Sequence, residues 1–184
     1  MAAVDARPVK AKLTVTVALV AAVCAILAPA AVPASNAPKV ALTSLESGVL
    51  QQLNAIRAKH GLHLLRLNAK LTEAATQHSE EMGNDGYFEH SSHDGTAFWR
   101  RIDRWYGSQG FGYWSVGENL LWSSPQVDPA HAMQLWMNSP EHRANILAPR
   151  WREIGVSAVH LQTAPGDYRG LEVTIVTTDF GVRR

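Results

Sequence analysis

The stretch Ile154–Phe180, IGVSAVHLQTAPGDYRGLEVTIVTTDF, decides the fold class of this 184-residue chain. Its two ends, Ile154–Leu161 and Leu171–Phe180, are rich in Val, Ile and Thr, whose branched side chains suit a pleated surface. Pro165-Gly166-Asp167 between them is a turn signal, so the two runs predict an antiparallel pair of strands. Upstream, the apolar residues recur at helical spacing instead. Thr43-Ser44-Leu45-Glu46 has the capping-box pattern, and Leu45, Val49, Leu53 and Ile56 then share one helix face that Gly61 ends. Leu71, Ala74, Ala75, His78 and Met82 mark a second helix ending near Gly83 or Gly86, and Phe98, Ile102 and Trp105 a short third. Asp128-Pro129 and Ser139-Pro140 each set a capping side chain before a proline at the first helical position. They predict a helix with Met133, Trp136 and Met137 on its apolar face, followed at once by a short helical turn, Pro140–Leu147. Helices first and strands afterwards, without a βαβ rhythm, indicate an α+β fold rather than a doubly wound nucleotide-binding sheet.

The composition agrees with one globular domain: 46% of residues are hydrophobic and 18% charged, which excludes general disorder. The formal net charge is +1. Residues 1–34 carry Arg7, Lys10, Lys12 and Asp5, so the remainder holds 14 basic against 15 acidic groups. A phosphate-backbone binder needs a basic excess, and nucleic acid is excluded as an expected partner. The N-terminal segment has its own logic. A basic start precedes the apolar run Leu13–Ala28, and small residues and prolines follow. That order is a secretory signal, read here as residues 1–34, with 35–42 as a linker; the cut falls after Ala34 or Ala37. An uncleaved anchor is the competing reading, and it would be the chain's one tie to a membrane. The only cysteine, Cys24, lies inside the apolar run. Cleavage removes it, and with it any disulfide, thiolate metal site or cysteine nucleophile.

Of the eight histidines, most have structural explanations: His60 and His63 flank a helix end, and His78 sits on an apolar helix face. Three residues stand in better company: His90 in Phe88-Glu89-His90-Ser91, Glu118 in Gly117-Glu118-Asn119-Leu120, and His142 in Trp136–Leu147, WMNSPEHRANIL. Two imidazoles and a carboxylate held together can bind a divalent metal such as zinc, or pass protons. Spacing alone does not bring them together. Ser139 beside His142 suggests a nucleophile, but a helix cap accounts for a serine there without catalysis. The six tryptophans crowd between residues 99 and 151; most belong in the core, with Trp105, Trp114 or Trp122 available to line a cleft.

These blocks, with Glu153-Ile154-Gly155-Val156, resemble in order and spacing the CAP superfamily of cysteine-rich secretory, antigen 5 and pathogenesis-related proteins. The chain is most similar to its bacterial, disulfide-free branch, in which S-P-x-H-R-x-N-I-L is typical. The resemblance makes residues 43–184 a CAP (SCP-like) domain and implies a three-layer α-β-α sandwich around a central, mostly antiparallel sheet. It also implies a cleft where two histidines and two acids meet. His90, Glu118 and His142 match three of them. Many relatives carry a glutamate three residues after the helix tryptophan, where this chain has Ser139; Glu141 is the nearest acid. Asn119, Asn145 and Arg143 are read as supports that hold loops rather than react.

The function expected on this basis is a secreted binding or interaction module. Its cleft would take a metal or a small apolar ligand, lipid-like or sterol-like, or cell-wall material. The alternative is a metal-assisted hydrolase of peptide or cell-wall substrates, with Glu118 activating water. The N-terminal reading is checked by sequencing the protein recovered from culture medium: a start at Ser35 or Pro38 is expected, and recovery only as a full-length membrane-bound form overturns it.

Overall fold

The computed structural model describes residues 41–184; the expected signal segment and most of the linker lie outside the described residues. The chain begins with α1 (Ser44–Lys59), β1 (Arg66–Leu67), α2 (Ala69–Asp85) and α3 (Phe98–Trp105). It continues through β2 (Trp114–Ser123), α4 (Pro129–Asn138), α5 (Pro140–Ile146), β3 (Glu153–Leu161) and β4 (Val173–Arg183). The caps behave as their chemistry dictates. Thr43 Oγ1 accepts from the Glu46 amide while Glu46 Oε2 accepts from the Thr43 amide, closing the box. The second oxygen of Glu46 accepts from the Ala158 amide at 2.9 Å and ties α1 to β3. Asp128 Oδ1 takes the His131 amide at 2.8 Å, ahead of Pro129. Gly61 and Gly86, just past α1 and α2, have φ of +67° and +75°, a region open to glycine at little cost.

The four strands form one sheet in the order β1-β3-β4-β2. β3 and β4 are antiparallel, as their sequence predicts, and β2 runs antiparallel to β4 along the edge. The two-residue β1, parallel to β3, makes the sheet mixed. Neither β1 nor β2 is evident from periodicity. β1 is too short to show a pattern, and β2 follows α3 rather than the last helix, so strands and helices interleave.

Helices cover both faces. α2 and α3 pack on one, and α1, α4 and α5 on the other. Close approach on each face depends on a glycine. A Cβ at Gly155 would lie 2.1 Å from the Leu71 carbonyl carbon of α2, and one at Gly117 2.7 Å from Asn145 Oδ1 of α5. The larger apolar cluster, with Val49, Leu53, Met133, Trp136, Ile146, Trp151 and Phe180, fills the α1/α4/α5 face. On the α2/α3 face there are two smaller clusters, one around Met82, Leu120, Tyr168 and Ile175, the other around Leu71, Ala74, Ile102 and Tyr106. Strand register places Thr177, Asp179 and Glu118 between these two clusters. Ser79 of α2 joins this polar seam through a 2.8 Å hydrogen bond to Thr177. Among the described residues, every cluster residue lies between Leu45 and Val182, and residues 41–184 fall within one compact unit.

Trp136 is 1% exposed, and its indole N–H donates to the Leu120 carbonyl at 2.9 Å. Trp136→Ala is expected to cost about 3–5 kcal/mol, the range for truncating a buried large aromatic. A chemical-denaturation midpoint equal to that of the wild type would contradict this packing.

Candidate functional site

Glu118 is the centre from which the site is built. It sits on the edge strand β2 with its side chain 1% exposed, directly opposite Asp179 of β4. Arg101, fully buried on the inner face of α3, donates to Glu118 Oε2. His90 Nδ1 donates to Oε1 at 2.8 Å. Arg101 also donates to the His90 carbonyl at 3.1 Å and to Ser92 Oγ at 3.2 Å, so one guanidinium fixes the loop that carries the histidine. Burial alone pushes the Glu118 carboxyl up. The His90 hydrogen bond and the Arg101 charge outweigh it and hold the group below its ordinary range, ionised.

The opposite wall comes from α5. Asn145 Nδ2 donates to the Glu118 carbonyl at 3.1 Å and to Asn119 Oδ1 at 3.0 Å, while Asn119 Nδ2 donates to the His142 carbonyl at 3.2 Å. The Trp151 indole donates to the Asn145 carbonyl at 2.9 Å. The two asparagines therefore clamp helix to strand. Between the walls lies a cleft of about 380 Å³ lined by His90, Phe98, Val116, Glu118, Asn119, Glu141, His142, Asn145 and Arg150. Partial burial, reinforced by the charge His90 carries when protonated, holds His142 below the ordinary histidine range; nearby Glu141 opposes the shift.

The structure thus brings His90, Glu118, His142 and Glu141 to one cleft, though Glu118 lies beneath its floor and Glu141 is exposed at its edge. Arg143 is exposed and makes no ion pair among the described residues. Two expectations change. Ser139 does not cap α5 with its side chain; Oγ lies 3.4 Å from Glu141 Oε2, a weak contact. The hydroxyl is turned toward the Glu141 carboxylate instead. None of Trp105, Trp114 and Trp122 lines this cleft. Trp122 packs edge-on against Tyr168, Trp114 donates to the Tyr106 carbonyl, and Trp105 donates to Gln77.

The donor set does not fit a divalent cation such as zinc. Both Glu118 oxygens are engaged by cationic or N–H donors, which compete with a metal ion for the carboxylate. Among the described residues, no group of three or more His, Cys, Asp or Glu side chains is placed to hold a metal. The expected zinc ligands His90, Glu118 and His142 converge on the cleft without forming a coordination set.

Sequence reasoning missed Arg101 and Asp179. The signal for Arg101 was its place on the apolar stripe of Phe98, Ile102 and Trp105. Asp179 stood in an otherwise apolar and hydroxyl-bearing strand. Its carboxyl is fully buried and neither oxygen has a hydrogen-bond partner. Burial, then the charge on Glu118, raise it well above the carboxylate range against the pull of Arg101.

An α-β-α sandwich with this cleft at its edge strand defines the class of protein, and comparison with known proteins gives the family. A model of the cysteine-rich secretory protein (CAP) family matches residues 50–177, and the chain belongs to that family. It is 34% identical over 135 residues to an uncharacterized protein of Bacillus subtilis, YkwD, covering 72% of this chain and 50% of the relative. It is 31% identical over 131 residues to an uncharacterized membrane protein of the same organism, YlbC, covering 71% and 36%. The chain thus spans half or less of these curated relatives. Among solved structures, an extracellular SCP-domain protein of Bacillus anthracis matches with a TM-score of 0.54 at 30% identity, covering 79% of this chain and 45% of that one. An outer surface protein of Borrelia burgdorferi shares the fold, with a TM-score of 0.60 at 20% identity over 80% and 98% of the two chains.

Asp179 carries a pH signature. A carboxyl whose folded pKa exceeds its unfolded value stabilises the fold fully below the unfolded pKa, near ~4, and that contribution is lost as pH rises toward the folded value. Asp179→Asn, neutral and of the same shape, is expected to flatten the fall in stability above about pH 4. It should equal or exceed the wild type in denaturation midpoint at neutral pH. An Asn variant that is weaker at neutral pH, with an unchanged profile, would mean that Asp179 is ionised in the fold.

Proposed function

We propose that the chain is an extracellular binding module that takes its ligand in the His90/His142 cleft without turning it over. One observation carries this reading: both oxygens of Glu118 are committed to His90 and Arg101. A general base must come within hydrogen-bond reach of the proton it removes, and the Glu118 carboxylate is 1% exposed beneath its two donors. Ser139 offers no activated nucleophile either, because its hydroxyl turns toward Glu141 rather than to an imidazole. What faces the cleft is a polar rim around the apolar side chains of Phe98 and Val116, the usual make-up of a small-ligand site. The ligand class this favours is a small molecule with an apolar body and a polar end, such as a lipid-like compound or a fragment of cell-wall material. The extracellular setting is supported by the secretory character of residues 1–34 and by the similarity to an extracellular SCP-domain protein.

The test follows the ring C–H resonances of His90 and His142 while muropeptides from digested cell wall, a short-chain fatty acid or zinc chloride is added. One of the organic probes is expected to shift both histidines saturably, and His142→Ala should weaken that binding at least about tenfold, the loss of one well-made contact. Zinc should leave the wild type and His142→Ala alike. Release of products from muropeptides or casein that disappears in His142→Ala would replace this reading with the hydrolase.

A further inference from the structure

Away from the cleft, the opposite end of α3 meets one end of the sheet. β1 and β3 begin there, β2 begins there, β4 ends there, and α2 starts two residues after β1. Three large aromatic side chains are exposed at this end: Trp105 at 36%, Phe111 at 41% and Tyr113 at 40%. Each has a cation laid over its ring. Lys70 Nζ is 5.5 Å from the Trp105 centroid, the Arg183 guanidinium 4.7 Å from that of Phe111, and the Arg184 guanidinium 4.9 Å from that of Tyr113. Backbone pairing of Tyr113 with Arg184, at 2.9 and 3.0 Å, fixes the last of these pairs to the sheet. Arg66 and Arg104 add further exposed charge.

Among the described residues, the acids here face Arg66 and Lys70 or backbone and hydroxyl donors, while Arg104, Arg183 and Arg184 make no ion pair. Glu153 accepts from Tyr106 Oη and Asn68 and lies near Arg66; Asp103 accepts from the Ser108 amide; Glu73 pairs with Lys70. The surface is therefore basic in a domain whose residues 35–184 carry more acids than bases. Exposed rings and cations in one place match an anionic lipid surface. Aromatic rings settle at the headgroup level, basic side chains are drawn to an anionic leaflet, and their aliphatic stems can lie along the rings. A soluble polyanion would use the cations and leave the rings in water.

We propose that this end, carrying Trp105, Phe111, Tyr113 and their overlying cations, docks the domain on anionic phospholipid bilayers. Binding is peripheral, with the rings entering the headgroup boundary and the helices and sheet outside it. The site is separate from the cleft and does not depend on the ligand proposed there.

The test uses residues 35–184, which include the compact unit formed by the described residues, in sedimentation with vesicles. Sedimentation with equal-part phosphatidylglycerol–phosphatidylcholine vesicles is expected, with none on pure phosphatidylcholine. Two double variants at exposed positions separate the contributions. Arg104→Glu with Arg184→Glu, and Phe111→Ser with Tyr113→Ser, should each lower partitioning at least about tenfold, with a wild-type thermal midpoint. Wild-type partitioning by both variants overturns the proposal. So does failure to bind anionic vesicles, whether or not a heparin column retains the protein; retention there would assign the surface to a soluble polyanion.

Discussion

The ion pair between Arg101 and Glu118 is the constraint on which the site depends. Two charges taken out of water cost several kcal/mol each, and only good geometry and further hydrogen bonds recover that cost. The chain supplies them: His90 on the second carboxylate oxygen, and the His90 carbonyl and Ser92 on the second guanidinium nitrogen. Because those partners lie on one loop, satisfying the pair also fixes the loop, and with it the imidazole that lines the cleft. Asp179, opposite Glu118, can share this low-dielectric seam only by keeping its proton, since one guanidinium cannot neutralise two carboxylates. The seam divides the apolar packing beneath α2 and α3 into two clusters. Removing Arg101 alone would strand Glu118 and loosen the loop together.

On the other face of the sheet, β2 meets a different problem. It is an edge strand, and its outward carbonyls would otherwise be open to another chain. Asn145 Nδ2 donates to the Glu118 carbonyl, and the Trp136 indole donates to the Leu120 carbonyl. Side chains from α4 and α5 thus close the edge where the cleft lies. Gly117 allows this, since any Cβ there would collide with Asn145 and Trp151. The Gly117–Leu120 and Trp136–Leu147 blocks stand out in the sequence because they are two sides of one contact.

How much was legible follows from how local each cause is. Caps, helix faces and the β3–β4 pair rest on residues within a few positions of one another, and Thr43, Glu46, Asp128 and Gly61 behaved as local chemistry requires. β1 was hidden because two residues joining β3 in parallel carry no periodic signal. β2 was hidden because it has packed helices on both faces, so the alternation of a half-buried strand is absent. The convergence of His90, Glu118 and His142 came only through family resemblance; spacing held no trace of it. The cleft's character depended on Arg101 and Asp179, which lie 17 residues before and 61 after Glu118. A buried charge cannot be told from an exposed one on a helix of eight residues until its partner across the fold is known.

That partner also decides what kind of cleft this is. A free carboxylate between two imidazoles would be a cation site; with Arg101 seated on it, the same three side chains present no net negative charge at the floor. What remains open to a ligand is hydrogen bonding from the imidazole edges and contact with Phe98 and Val116, which favours a ligand with both apolar and polar parts over a bare ion. α3 joins this cleft to the basic, aromatic end of the sheet: Phe98 at its start lines the first, and Trp105 at its end belongs to the second. Eight residues at 1.5 Å each make the helix roughly 12 Å long. A domain resting on a lipid surface through Trp105 and its neighbours would hold Phe98 and the cleft it lines within about one helix length of that surface.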